Sequence, residues 1–166
     1  MDPLVLFAVQ FTVSLVAYSI LAGWYVAPRL SLMPREIALV PLLWVHAFRI
    51  VGGTILAPGA VDASVPPEFR TMVGLGDMAT AVLAIAAIVA LRARVPGSVA
   101  LVWLCLLVGM GDTVSAIIQS VRFSVFTQPL GVNWVIVTAY VPALLVTSGL
   151  IAITLLRPGS GRRSST

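Results

Sequence analysis

Five long apolar runs, separated by short segments that contain proline, glycine and arginine, constrain this 166-residue chain more than any other feature. The runs cover residues 4–26, 36–57, 71–91, 97–120 and 132–156. A helix needs about 20 mostly apolar residues to cross the hydrocarbon core of a bilayer, so each run is long enough for one crossing. We therefore predict an all-α integral membrane protein, a bundle of about five transmembrane helices that forms a single domain over residues 1–157.

The composition agrees with this class of protein. Hydrophobic residues make up 60% of the chain and charged residues only 10%, whereas about a quarter of the residues in a soluble domain are charged. The N-terminal segment carries an acidic residue and no basic one, so it lacks the charged region of a cleavable signal peptide and the first run is expected to be retained. Residues 158–166, rich in serine, glycine and arginine, are predicted to form a flexible cytoplasmic tail.

The arginines lie unevenly at the two ends of the predicted bundle. Arg70 and Arg122 are at one end. Seven are at the other: Arg29, Arg35, Arg92, Arg94, Arg157, Arg162 and Arg163. The positive-inside rule assigns the richer end to the cytoplasm, which predicts a multi-pass protein of the inner (plasma) membrane with its N-terminus outside and its C-terminus in the cytoplasm. Because the arginines are spread singly between the runs, membrane lipid is the expected partner and nucleic acid is not.

A nine-residue segment occurs twice. Residues 73–81 read Val-Gly-Leu-Gly-Asp-Met-Ala-Thr-Ala, and residues 108–116 read Val-Gly-Met-Gly-Asp-Thr-Val-Ser-Ala. Consecutive spans run in opposite directions, so the two copies would form an inverted repeat, an arrangement that transporters use to build a binding site. A shared need for close helix packing would produce the same small residues without any duplication.

Four ionisable side chains lie inside the apolar runs: His46, Arg49, Asp77 and Asp112. A charge at the bilayer centre costs ~2.5–3.5 kcal/mol, so these side chains are expected to face the protein interior and to pair with one another. A rise of about 1.5 Å per residue puts Gln10 of the first run and Tyr140 of the fifth at the depth of Arg49 and the aspartates. His46 lies one turn deeper. We predict one polar layer to which all five helices contribute.

Glycines flank both aspartates: Gly74, Gly76, Gly109 and Gly111. We predict that they are packing residues, which let neighbouring backbones approach and let Arg49 reach both carboxylates. On an α-helix His46, Arg49 and Gly53 would share one face.

The predicted layer contains one guanidinium and two carboxylates. Either one aspartate holds a proton, or His46 is protonated nearby, or an external cation fills the site. A proton shared within a purely structural network would balance the charges equally well.

Several chemistries are excluded or disfavoured. Cys105 is the single cysteine, so an intrachain disulfide is impossible. The chain has no lysine for a Schiff base and no Walker, HExxH or GxSxG motif. His46 alone makes a weak metal site and cannot supply two haem ligands. We predict no metal and no cofactor, we identify no catalytic residue, and an enzyme is the less favoured class.

The segment at 46–52 reads His-Ala-Phe-Arg-Ile-Val-Gly, and it is followed by Pro-Glu-Phe at 67–69 and Gly-Leu-Gly-Asp at 74–77. This succession resembles uncharacterised small bacterial membrane proteins with several spans. The resemblance covers the second and third runs, and it implies that Arg49 and Asp77 belong to one motif without implying an activity.

Three functions follow from these features. The first is transport or conduction of a proton or small cation through the Arg49, Asp77 and Asp112 layer, in a bundle that forms a homo-oligomer. The second is an accessory or structural subunit of a larger membrane complex, in which the same charges fix the helix register. The third is a membrane-embedded enzyme or binder of a small lipid-like ligand, with His46 and Asp77 as acid and base in a pocket open to the outer leaflet.

Overall fold

The computed structural model describes residues 2–157, and all of its regular structure in that range is helical. Five helices are long and apolar enough to cross a membrane, as the sequence predicts. We number them α1 (Pro3–Ser31), α2 (Arg35–Leu56), α3 (Pro67–Arg92), α4 (Ser98–Arg122) and α5 (Asn133–Leu156). The predicted tail at 158–166 lies outside the described residues.

Prolines in α1 and α5 are accommodated by wide helical turns. The N–H of Ala27 bonds to the carbonyl of Ala22, five residues back, directly before Pro28. The N–H of Val141 bonds to the carbonyl of Ile136 in the same way, directly before Pro142. Because proline cannot donate a backbone hydrogen bond, such a wide turn lets the helix continue past it. As a result α1 extends beyond the predicted end at residue 26 and continues to Ser31.

Helix α2 changes its winding along its length. It is α-helical over Arg35–Ala47 and continues as a tighter 3-10 helix over Phe48–Leu56. With three residues per turn, every third side chain lies on one line, and Arg49, Gly52 and Ile55 are all buried. The α-helical spacing that placed Gly53 beside Arg49 is therefore wrong, and Gly52 takes that position.

The helices differ in how far they enter the core. Helix α3 packs on both α2 and α4, and α5 packs on α1, α2 and α4. Helix α1 is peripheral, because it packs mainly on α5 and no residue between Pro3 and Leu21 is buried. It is attached to α5 near both ends, by Arg157 Nη1 donating to the carbonyl of Leu30 and by Trp134 Nε1 donating to Gln10 Oε1.

Two apolar clusters lie at opposite ends of the bundle. We call one end the arginine-rich end, where Arg29, Arg35, Arg92, Arg94 and Arg157 lie, and the opposite end the loop end. The larger cluster, which includes Leu39, Leu43 and Val102, lies toward the arginine-rich end. The smaller one, which includes Val65 and Val125, closes the loop end. Arg49, Asp77 and Asp112 lie between residues of the two clusters along the chain.

Candidate functional site

Arg49 lies between two carboxylates from neighbouring helices. Its Nε donates to Asp77 Oδ1 on α3 at 2.6 Å, and its Nη2 donates to Asp112 Oδ2 on α4 at 2.5 Å. Arg49 is only 3% exposed, and the side chains of both aspartates are also largely shielded. The tight winding of α2 turns Arg49 toward α3 and α4, so one side chain joins three helices.

The remaining nitrogen of Arg49 is held by α4. Nη1 donates to the carbonyl of Gly109 at 3.0 Å and to Thr113 Oγ1 at 3.2 Å, and Thr113 itself donates to the Gly109 carbonyl. A guanidinium has five N–H donors in a fixed planar fork. The contacts of Nε, Nη1 and Nη2 use four of them, so the side chain is fixed in position by both α3 and α4.

Two glycines make room for the carboxylates. A Cβ atom at Gly52 would lie 1.7 Å from Asp77 Oδ2, and a Cβ atom at Gly76 would lie 1.7 Å from Asp112 Oδ1. No side chain can occupy either position while the carboxylates stay where they are. Each aspartate therefore has one oxygen on Arg49 and the other against a bare stretch of helix backbone.

The four glycines predicted to serve packing have different surroundings. Besides Gly76, Gly109 lies at the cluster, where a Cβ atom would be 2.9 Å from Thr80 and 3.3 Å from Arg49 Nη1. Gly74 packs against Leu56 instead. A Cβ atom at Gly111 would meet nothing within 4 Å, because this residue is on an exposed face of α4. The packing role predicted for Gly111 is therefore not found.

The other predicted members of the layer are spread around the cluster. Tyr140 is near it, with its hydroxyl donating to the carbonyl of Val45 on α2. Gln10 is apart from it and accepts a hydrogen bond from Trp134 at 2.7 Å. His46 is buried, its Nε2 lies 3.3 Å from Thr147 Oγ1, and its Nδ1 has no partner among the described residues. Of the predicted polar layer, the structure brings together Arg49, Asp77 and Asp112, and Tyr140 lies beside them.

A cavity of about 350 Å³ opens beside this cluster, toward the loop end. The charged cluster, Thr113 and the Tyr140 side chain supply polar surface to it, but most of its wall is apolar. Its aromatic wall consists of Phe7 and Phe11 on α1, Phe69 on α3, and Phe126 in the turn after α4. Small-molecule sites are commonly cavities of about 300–1,000 Å³ with apolar walls and a few convergent polar groups.

Helix α1 forms one side of this cavity. Phe7 packs on Phe126, with 4.1 Å between the ring centroids, and meets the ring of Trp134 edge-on at 6.0 Å. Both α1 and α4 contribute to the cavity wall, while α1 packs mainly on α5. The peripheral helix thus separates the cavity from the lipid that would surround the bundle.

Sequence reasoning missed several of these residues. Thr113 directly follows the Gly-Met-Gly-Asp segment of the second repeat copy, and this position was a usable signal. Gly52 ends the segment at 46–52 that carries the resemblance, but its position beside Asp77 depends on the 3-10 winding of α2. Phe69 belongs to the Pro-Glu-Phe segment of the resemblance, whereas the other three phenylalanines of the cavity carry no sequence signal. Among the described residues, no group of three or more His, Cys, Asp or Glu side chains could hold a metal ion.

A family model described as a domain of unknown function (DUF8737) matches residues 6–157, which include nearly all of the five helices. The chain belongs to this family. No curated protein and no solved structure matches it.

Proposed function

We propose that this protein binds a small amphiphilic ligand, with the apolar part between the phenylalanines of the cavity and the polar head at Arg49, Asp77 and Asp112. The observation that carries the proposal is the junction of an apolar cavity with a buried charged cluster. A cluster that served only to fix helix register would not need an adjoining cavity. We therefore rank the ligand-binding function above the transport function that the sequence alone favours.

The charges of the cluster indicate the kind of head group. One guanidinium faces two carboxylates, so the site has an excess negative charge when both aspartates are ionised. Such a charge is costly in a medium of low dielectric constant. A protonated amine would balance it and would also donate hydrogen bonds to the carboxylates, so we propose an amine-bearing amphiphile.

Mass spectrometry of the purified protein tests the binding function. Ala116 lines the cavity, whereas Ala100 is exposed near the other end of the same helix. We expect a small organic ligand to co-purify with the wild type and with Ala100→Phe, and to be lost from Ala116→Phe. Equal ligand content in all three folded proteins would contradict the proposal.

A pair of probes of equal size tests the charge of the head group. Phenethylamine and 2-phenylethanol differ in the amine that replaces a hydroxyl. We expect phenethylamine to raise the thermal unfolding temperature more than the alcohol does, and Asp112→Asn to abolish the difference. Equal stabilisation by both probes would show that the head group need not be charged.

Transport of a proton or small cation is the second candidate. It is favoured by His46, which lies one turn from Arg49 toward the arginine-rich end and has an unpartnered Nδ1 among the described residues. Against it stands the tight apolar cluster around Leu39, Leu43 and Val102 on that side. Proteoliposomes that carry a pH-sensitive dye would show a proton flux that Asp112→Asn abolishes. If sealed proteoliposomes show no proton flux and the purified protein binds no ligand, an accessory role in a larger complex or homo-oligomer would be favoured.

We propose the orientation that the arginines indicate, with the loop end outside and the arginine-rich end in the cytoplasm of the inner membrane. Five arginines of the described chain support it by their position at one end. In intact cells, a membrane-impermeant maleimide should label Ala63→Cys and not Leu32→Cys. Both positions are exposed, at opposite ends of the bundle. Labelling of Leu32→Cys alone would reverse the orientation.

A further inference from the structure

A second hollow, of about 820 Å³, opens at the arginine-rich end between the start of α2, the end of α3 and the start of α4. We call it the arginine groove. Ile37, Pro41, Leu91 and Val95 form apolar walls, and Arg92 and Arg94 lie among them. It is separate from the cavity at Arg49, and none of the functions considered above uses it.

The walls of the groove suit a hydrocarbon chain. Ile37 is 58% exposed and Val95 is 47% exposed, although both are large apolar side chains. Their positions at helix ends put them near the boundary between hydrocarbon and head groups. An acyl chain lying along α2 would cover this apolar surface.

The groove also has an excess of positive charge. Arg92 and Arg94 are exposed, and neither forms an ion pair within residues 2–157. Glu36 lies in the groove wall, but Arg35 pairs with it at 3.5 Å. Two arginines are thus left to meet an anion, and the guanidinium fork matches the geometry of a phosphate group.

The backbone at Arg94 is unusual for an arginine. Its φ is 54°, in the left-handed region, at the end of α3 where Val95 donates to the carbonyl of Ala90 and Arg94 donates to that of Leu91. Glycine is the usual residue at this position of a helix end. An arginine here places a cation in the groove wall, although its backbone must adopt a left-handed conformation that favours glycine.

The groove contains one further polar feature on α2. Pro41 has no N–H, so it cannot give the carbonyl of Ile37 the hydrogen bond expected in an α-helix. Both residues line the groove. That carbonyl is a suitable acceptor for a hydroxyl of a lipid head group.

We propose that the arginine groove binds an anionic phospholipid with a hydroxyl-bearing head group, such as phosphatidylglycerol. Arg92 and Arg94 pair with its phosphate, the Ile37 carbonyl accepts from its head group, and one acyl chain lies along α2. Basic hollows between transmembrane helices are a known arrangement for binding anionic lipid head groups. The proposal is independent of the ligand in the other cavity.

Native mass spectrometry of the full chain, stripped of lipid and given equal amounts of phosphatidylglycerol and phosphatidylcholine, tests this site. We expect one phosphatidylglycerol to bind in preference. An arginine near the membrane surface contributes about fivefold in affinity, so Arg92→Gln with Arg94→Gln should weaken that binding about 25-fold. Binding of phosphatidylcholine, whose choline cation offsets the charge of its phosphate, should weaken less, so the preference for phosphatidylglycerol should fall. Equal binding of the two lipids by the wild type would overturn the proposal.

Two further variants separate a built groove from general surface charge. Arg29 is exposed at the same end but lies outside the groove, so Arg29→Gln should keep the preference for phosphatidylglycerol. Ile37→Trp narrows the groove and leaves every charge in place, so it should reduce the preference. An equal loss in Arg29→Gln, or no change in Ile37→Trp, would show that only the net charge attracts the lipid.

Discussion

The two halves of the bundle are built differently. Apart from the arginine groove at its edge, the half toward the arginine-rich end is closely packed, and Leu39, Leu43, Ala84 and Val102 are 0% exposed. Toward the loop end, α2 tightens into a 3-10 helix and a cavity of about 350 Å³ separates the helices. Under the proposed function, this difference is a division of roles, in which one half holds the helices together and the other leaves room for a ligand at the charged cluster.

The largest expected effect comes from removing the guanidinium of Arg49, which holds the charged cluster in the half toward the loop end. Arg49→Leu leaves two shielded carboxylates without a partner, and breaking such a buried pair costs about 3–5 kcal/mol. We expect this variant to express poorly and to aggregate. Size-exclusion chromatography in mild detergent measures the aggregated fraction.

A triple variant provides the control for this prediction. Arg49→Leu with Asp77→Asn and Asp112→Asn removes all three charges at once, and replacing a whole buried ion network is often neutral. The triple variant should regain a monodisperse profile without regaining ligand binding. A well-folded Arg49→Leu single variant would show that the cluster does not contribute to folding.

The second prediction compares truncations in the two halves. Leu43 is completely buried, whereas Ile117 lies on the cavity wall and is 43% exposed. Leu43→Ala leaves a void in a close-packed region and should cost about 2–3 kcal/mol of unfolding free energy. Ile117→Ala only enlarges an existing cavity and should cost well under about 1 kcal/mol. Thermal unfolding in detergent measures both, and equal losses would contradict the proposed division.

Sequence reasoning was informative wherever membrane physics leaves few choices. Each apolar run is long enough for one crossing, and that length predicts the five helices. The high cost of an unpaired charge in a bilayer is why His46, Arg49, Asp77 and Asp112 could be singled out, and three of them form one cluster. Equal depth also suggested that these three meet.

The features that sequence did not reveal depend on how the helices are arranged. Lipid is as apolar as a buried side chain, so hydropathy cannot distinguish the peripheral α1 from the central α3. Counting residues puts Gln10 at the depth of the cluster, but on the peripheral α1 its side chain accepts a hydrogen bond from Trp134 instead. The 3-10 segment Phe48–Leu56 has the composition of an ordinary apolar helix, so Gly53 was expected where Gly52 lies.

The third prediction concerns the glycines on which the charged cluster depends. Gly52→Ala would place a methyl group 1.7 Å from Asp77 Oδ2, and Gly76→Ala would place one equally close to Asp112 Oδ1. Overpacking of this kind typically costs about 1–3 kcal/mol, and here it also displaces a carboxylate from Arg49. Both variants should therefore lower the unfolding temperature and weaken ligand binding.

Gly111 supplies a matched control on α4, because a methyl group there meets nothing within 4 Å. Gly111→Ala should be neutral or stabilising by about 0.5–1 kcal/mol, since alanine is the better helix former. If all three glycine-to-alanine variants had the same unfolding temperature and ligand binding, the carboxylates would have room to move.

The smallest expected effect concerns the loops at the loop end of the bundle. Asp62 Oδ1 accepts hydrogen bonds from the hydroxyl and the backbone N–H of Ser64, and the N–H of Asp62 donates to the carbonyl of Pro129 in the loop between α4 and α5. The hydroxyl and then the N–H of Ser64 hold the pKa of Asp62 below its usual range. A lowered pKa in the folded protein means that this stabilisation is present at neutral pH. It is lost as the pH falls through that lowered value, below about 4.

Hydrogen exchange at the loop end, followed by mass spectrometry, measures this effect. Exchange rates must first be corrected for their intrinsic dependence on pH. Acidification should then loosen residues 61–65 in the wild type, whereas Asp62→Asn should show that looser state already at neutral pH. Because Asp62 is fully exposed, the effect should stay local and leave the packed half unchanged. Loosening of α3 or α5 over the same pH range would instead show that the two halves open together.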